Sequence, residues 1–109
     1  MPPVVERASI DVAKLLHERS PTSGKFVRTT QQQAASLVGG SMENPNRPVY
    51  LVILSGHFKA KRFLPGTLAD FTVDARSGKL VDIGTSNLLP SISPLGRVRY
   101  FRLRDCASR

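Results

Sequence analysis

The chain opens with apolar residues three and four apart, Val5, Ala8, Val12, Leu15 and Leu16, while Glu6, Arg7, Asp11, Lys14 and Glu18 take the other side. That period belongs to a helix with one buried face, and Pro2 and Pro3 stand where a helix starts. A first helix is therefore predicted from about Val4 to Arg19, stopped by SPTSG at Ser20 to Gly24, after which KFVR reads as a short strand leading away. Thr30 followed by Gln33 has the spacing of a capping box, and Ala34, Ala35, Leu37 and Val38 then run up to Gly39, a good helix terminator. A second, short helix is predicted there. Gly39 to Pro48, with two Gly, two Pro and two Asn, reads as a loop.

Beyond the loop the period shortens. Val49 to Leu54 is an unbroken apolar run, so both faces of that strand should be covered, with Leu51 and Ile53 expected against Val12 and Leu16 of the first helix. The strand continues to Phe58, and KAKRFLPGT forms a connector. Phe71, Val73 and Ala75 then alternate with Thr72, Asp74 and Arg76, giving a strand from Leu68 to Ala75. Arg76 to Lys79 is a tight turn with Gly78 supplying a positive φ, and Leu80 to Gly84 is the return strand. SNLLPSISPLG, holding Pro90 and Pro94, is a loop, and RVRYFRLR from Arg97 to Arg104 is a last strand.

These elements predict one α+β domain over 1–109, with one or two N-terminal helices packed on a curved antiparallel sheet of about four strands. The helical part is placed at about 4–39 and the sheet part at about 49–104. At 109 residues the chain suits a single modest core. With no tryptophan and few aromatic residues, that core must be mainly aliphatic.

Charge changes the picture of what the domain meets. The net charge is +8, yet Met1 to Asn46 hold five Lys/Arg against four Asp/Glu, whereas Arg47 to Arg109 hold eleven against four. The excess sits in the sheet half and favours an acidic partner: an acidic protein, an anionic surface or nucleic acid. Arginine outnumbering lysine, with plentiful Ala, Gly and Pro, is also the bias of a high-GC genome. Cys106 is a single cysteine and has no disulfide partner in the chain. No apolar run reaches the length of a membrane span, and Met1 leads straight into PPVVERAS without the pattern of a signal peptide. A cytoplasmic location is the expectation, or an extracytoplasmic one if a leader has been trimmed away.

Candidate chemistry is sparse. Gly24 and Lys25 lack the upstream glycine and the following Ser or Thr of a phosphate loop, and Gly78 and Lys79 belong to a hairpin turn. Ser55 and His57 lie two apart on a strand and so face one side, where Asp70, Asp74 or Asp82 would have to join them for a small hydrolase. A strand terminus with a solvated imidazole explains the same residues. His17, His57 and Cys106 lack metal-site spacing, so no metal and no cofactor is expected.

The basic and aromatic clusters are the better interaction candidates. Lys59, Lys61 and Arg62 lie between Phe58 and Phe63 in the connector, and Arg97, Arg99, Tyr100, Arg102 and Arg104 surround Phe101 in the last strand. Rings among arginines on a sheet can stack bases while guanidinium groups hold phosphates. The competing account makes Phe58, Phe63 and one of Tyr100 or Phe101 core, with the arginines guarding an edge strand. Strict alternation would send Arg97 and Arg99 to one face and Arg102 and Arg104 to the other.

The block YLVILSGHF followed by LADFTVDARSGKLVDIG resembles the strand pattern of PepSY-like domains, with Val73, Asp74, Ala75, Gly78, Lys79 and Val81 standing in the hairpin arrangement of that family. The resemblance covers about a third of the chain, and the second helix and the basic tail depart from it. It implies a small cystatin-like module, often extracytoplasmic in bacteria, that binds or inhibits partners, proteases included, without chemistry of its own. The cystatin inhibitory motif is not legible: Gln33 to Gly39 has Gln, Val and Gly, but on a predicted helix and at the wrong spacing. The expectation is a non-enzymatic binding or inhibitory module for a protein or an anionic surface, with nucleic-acid binding as the alternative and a hydrolase as the weaker one.

Overall fold

The computed structural model describes residues 1–16, 23–40, 43–60 and 63–103, with backbone alone at 59–60 and 63–65. Helix α1 (Pro3–Leu15) precedes strand β1 (Ser23–Thr30), helix α2 (Gln31–Val38), strands β2 (Pro48–Ala60), β3 (Phe63–Asp74) and β4 (Leu80–Ser86), a 3-10 turn at Ser93–Leu95, and strand β5 (Arg99–Arg102). The sheet is antiparallel throughout, in the order β4-β3-β2-β1-β5. Among the described residues two helices and five strands make this a small α+β domain.

The count of about four strands is corrected by β1. KFVR is the middle of an eight-residue strand that pairs with β2 on one side and β5 on the other. Its neighbouring apolar side chains suit this place: Phe26 is buried in the cluster on one face of the sheet and Val27 in the cluster on the other, so both faces of the strand are covered. The N-terminal part of the chain thus contributes to the sheet.

Strand β2 also divides its apolar run between the two faces. Val52 and Leu54 join Val5, Val12 and Leu16 of the α1 side, while Val49, Leu51 and Ile53 pack with Ala34 of α2 and Ile92. Leu51 and Ile53 therefore face away from α1, opposite to the side expected. In an apolar run every residue suits burial, so the run itself carries no phase.

The second face is closed by a crossover. Between β4 on one edge and β5 on the other, the segment 87–98 spans the sheet and lays Leu89, Ile92, Leu95 and Val98 on it, Ile92 being fully buried. The segment read as a loop thus helps cover that face, beside α2.

Local signals position α2 and the hairpin. Thr30 Oγ1 accepts from Gln33 N at 3.3 Å, and Gly39, at φ +84°, donates its N–H to Ala35 O at 2.8 Å. The reciprocal half of the capping box is replaced: Gln33 Oε1 takes the Thr29 hydroxyl at 2.7 Å. In the hairpin, Asp74 Oδ1 accepts from Arg76 N and Ser77 N at 2.8 and 2.9 Å, and Gly78 sits at φ +75°. The connector is shorter than expected, because β2 runs on to Ala60 and β3 begins at Phe63. Register shifts between Ser55 and Ala60 absorb Pro65 and the extra residues.

Ile53→Ala and Leu54→Ala remove side chains from opposite clusters and should each cost roughly 2–5 kcal/mol in a denaturant titration. Thr30→Ala should cost about 0.5–2 kcal/mol through loss of the α2 cap. A loss confined to one of the two core variants would show that one face of β2 is not packed.

Candidate basic cleft beside strand β5

Register decides where the arginines of the last strand go. Arg99 pairs with Phe26, Tyr100 with Lys25, Phe101 with Gly24 and Arg102 with Ser23. Paired residues share a face, so Arg99 and Phe101 lie on the α1 side and Tyr100 and Arg102 on the α2 side. Phe101 is half-buried against the core and Phe26, at 5.9 Å between ring centroids, whereas Tyr100 is 78% exposed. Phe58 is fully in the core. Of the connector candidates, Lys59 falls in β2, and its side chain, Lys61 and Arg62 lie outside the described residues, as do Arg104, His17 and Cys106.

The α1 side holds a cleft of about 490 Å³ lined by Arg28, Arg97 and Arg99, with Phe26 and Tyr50 among its walls and the start of α1 at its rim. Arg28 and Tyr50 join the site only through the pairing of β1 with β2. Arg28 is two residues beyond Phe26 on β1 and so shares its face, and Tyr50 is its partner on β2. That signal lay in KFVR and VYLVIL and needed only the pairing of the two strands to be read. The Arg28 guanidinium stands over the Tyr50 ring at 5.9 Å, and Phe26 meets Tyr50 edge-on at 5.8 Å. None of the three arginines forms an ion pair among the described residues.

A smaller cleft of about 250 Å³ lies on the opposite side of the β1–β5 ladder, with Lys25, Ser55 and Tyr100 over Ile53, Leu68 and Leu89. Ser55 is exposed there, and the strand register slips between Ser55 and Phe58, so the two-residue spacing does not hold Ser55 and His57 in regular alternation. No hydrogen bond joins Ser55 to His57 or to an aspartate among the described residues.

Three aspartates lie at the other end of the sheet, near Arg47 and the Arg76 and Lys79 of the hairpin. Asp70, Asp74 and Asp82 belong to β3 and β4, on the face shared with Ile53, Thr72 and Val49. Burial pushes the Asp70 carboxyl above its ordinary range; a backbone hydrogen bond opposes this, and the Asp82 charge adds to it. Asp74 moves the opposite way, held down first by the Ser77 and Arg76 amides and more weakly by Arg47, whose Nε lies 3.7 Å from Asp74 Oδ2.

Comparison with known proteins returns no match to a family model, to a curated protein or to a solved structure. Among the described residues no helix is long and apolar enough to cross a membrane, and no group of three or more His, Cys, Asp or Glu gathers as a metal site.

Two expectations follow from this geometry. A β-carbon on Gly24 would lie 2.5 Å from the Phe101 ring and 2.9 Å from Ile53 O, so Gly24→Ala should lower stability and loosen β5, read as faster amide exchange at 99–102. The two aspartates should also give stability opposite slopes in acid. Asp74, with its lowered folded pKa, supports the fold above the ordinary value of 3.8, and that support is lost as pH falls through the folded value. Asp70, with its raised pKa, favours the fold while protonated, and that contribution is lost as pH rises through its folded value. Asp70→Asn should therefore stabilise at neutral pH and lose its advantage in acid, and Asp74→Asn should destabilise at neutral pH, both followed by denaturant midpoints across pH.

Proposed function

We propose that this domain is a non-enzymatic binding module that engages an acidic protein partner through the Arg28, Arg97 and Arg99 cleft. The carrying observation is that three arginines line one cleft without a carboxylate paired to any of them among the described residues. Like charges gathered this way repel one another, and an external anion relieves the repulsion. Arginine forks bind carboxylates in two parallel hydrogen bonds, so an acidic side chain is a fitting occupant. The helix lying across an antiparallel sheet and the Asp74 to Gly78 hairpin support a cystatin-like or PepSY-like build. An inhibitory action rests on that resemblance.

Nucleic-acid binding is the second reading, because aromatic rings stand beside the arginines. Two facts place it second. Arg28 already stands over the Tyr50 ring at 5.9 Å, where it competes with a base for that face. The most exposed ring, Tyr100, is on the other side of the sheet with Arg102, so the basic groups do not form one track.

Titration of a labelled glutamate-rich peptide and of single- and double-stranded oligonucleotides at about 50 and 200 mM salt separates the readings. The peptide should bind, and the combined Arg28→Ala, Arg97→Ala and Arg99→Ala variant should remove most of that binding without unfolding the domain. Oligonucleotides bound more tightly than the peptide, with affinity falling by orders of magnitude over that salt range and lost in the variant, would reverse the ranking. Failure of both ligands to bind would remove the reading altogether.

A further inference from the structure

Strand β5 ends the sheet, so among the described residues one of its sides carries the backbone donors and acceptors of an unextended edge. Its side chains alternate across that edge. On the α1 side Arg99 faces the cleft that Arg28 and Arg97 also line, and on the α2 side Tyr100 and Arg102 are exposed beside Lys25. The two clefts therefore flank one strand, each carrying positive charge.

We propose that β5 takes up an extended acidic peptide as a sixth strand, a deeper statement that rests on the binding-module reading above. A strand laid alongside β5 would run about 4.8 Å from it, with successive side chains pointing to opposite faces. Carboxylates on one face would meet Arg97 and Arg99, with Arg28 behind them, and carboxylates on the other would meet Arg102. Main-chain hydrogen bonds supply affinity in this mode, and the groups on either side supply selection. The same arginines make a second copy of the chain a poor occupant, because two β5 edges placed together would bring like charges side by side. The other edge, β4, presents Asp82 on its side of the sheet and offers an acidic peptide no comparable attraction.

The probe is a fluorescein-labelled peptide of about eight residues, the length of an ordinary strand, alternating glutamate with threonine. Two further forms carry N-methyl groups on alternate backbone nitrogens, one form for each phase. Anisotropy should show that the parent peptide binds and that one methylated phase is weakened by about tenfold or more while the other is not, because only one phase of amides faces β5. Amide exchange at 99–102 should slow when the parent is added, and Arg99→Glu should weaken it, with Arg76→Glu in the remote hairpin as the matched charge control. If both methylated forms bind as well as the parent, or protection appears away from β5, strand addition is wrong and a purely electrostatic binding module remains. If no glutamate-rich peptide binds, the binding reading falls with it. Protection of 99–102 without peptide, accompanied by concentration-dependent dimerisation, would make a second copy the occupant and overturn the proposal.

Discussion

Everything in this domain is arranged around a central strand that is apolar on both faces. Val49, Leu51 and Ile53 on one side and Val52 and Leu54 on the other are each buried, and neither set can be left to water. At roughly 25 cal/mol per Å² of apolar surface removed from water, covering one face and exposing the other would forfeit a large part of what a small domain has. Two covers are therefore required. Helix α1 supplies one, and α2 with the 87–98 crossover supplies the other.

The crossover has a second effect. To cover the face it must pass from β4 to the opposite edge, which is why β5 joins the sheet beside β1 and not beside β4. That return places the arginine-rich end of the chain against KFVR and brings Arg97 and Arg99 to Arg28, residues some seventy positions apart. The basic cleft is thus a by-product of how the second face is closed.

The same topology separates the charges. Asp70, Asp74 and Asp82 lie on β3 and β4, while Lys25, Arg28, Arg99 and Arg102 lie on β1 and β5, with the apolar β2 between. The β3–β4 end balances its aspartates with Arg47, Arg76 and Lys79, so the unbalanced positive charge lies at the β1–β5 end, where it orients approaching acidic partners before contact. The topology leaves Arg28, Arg97 and Arg99 without an ion-paired carboxylate among the described residues, and β3 keeps its own constraint in the half-buried Asp70, whose carboxyl feels the charge of Asp82.

Local interactions were legible in the sequence because they depend on near neighbours. The helical period of Val5, Ala8, Val12 and Leu16, the Thr30 cap, Gly39 and the positive φ of Gly78 are each set within a few residues and are legible there, although Leu15 is exposed and the turn expected at Arg76 to Lys79 begins already at Asp74. The demand that Val49 to Leu54 be covered twice is legible too. Pairing is a long-range property, and only the tertiary structure decided it. It set which face Ile53 takes, made KFVR an interior strand, turned Leu89, Ile92, Leu95 and Val98 from loop residues into a wall, and put Arg28 and Tyr50 beside Arg97 and Arg99. An apolar run states that its faces are buried, but the partners that bury them are chosen by the packing of the whole chain.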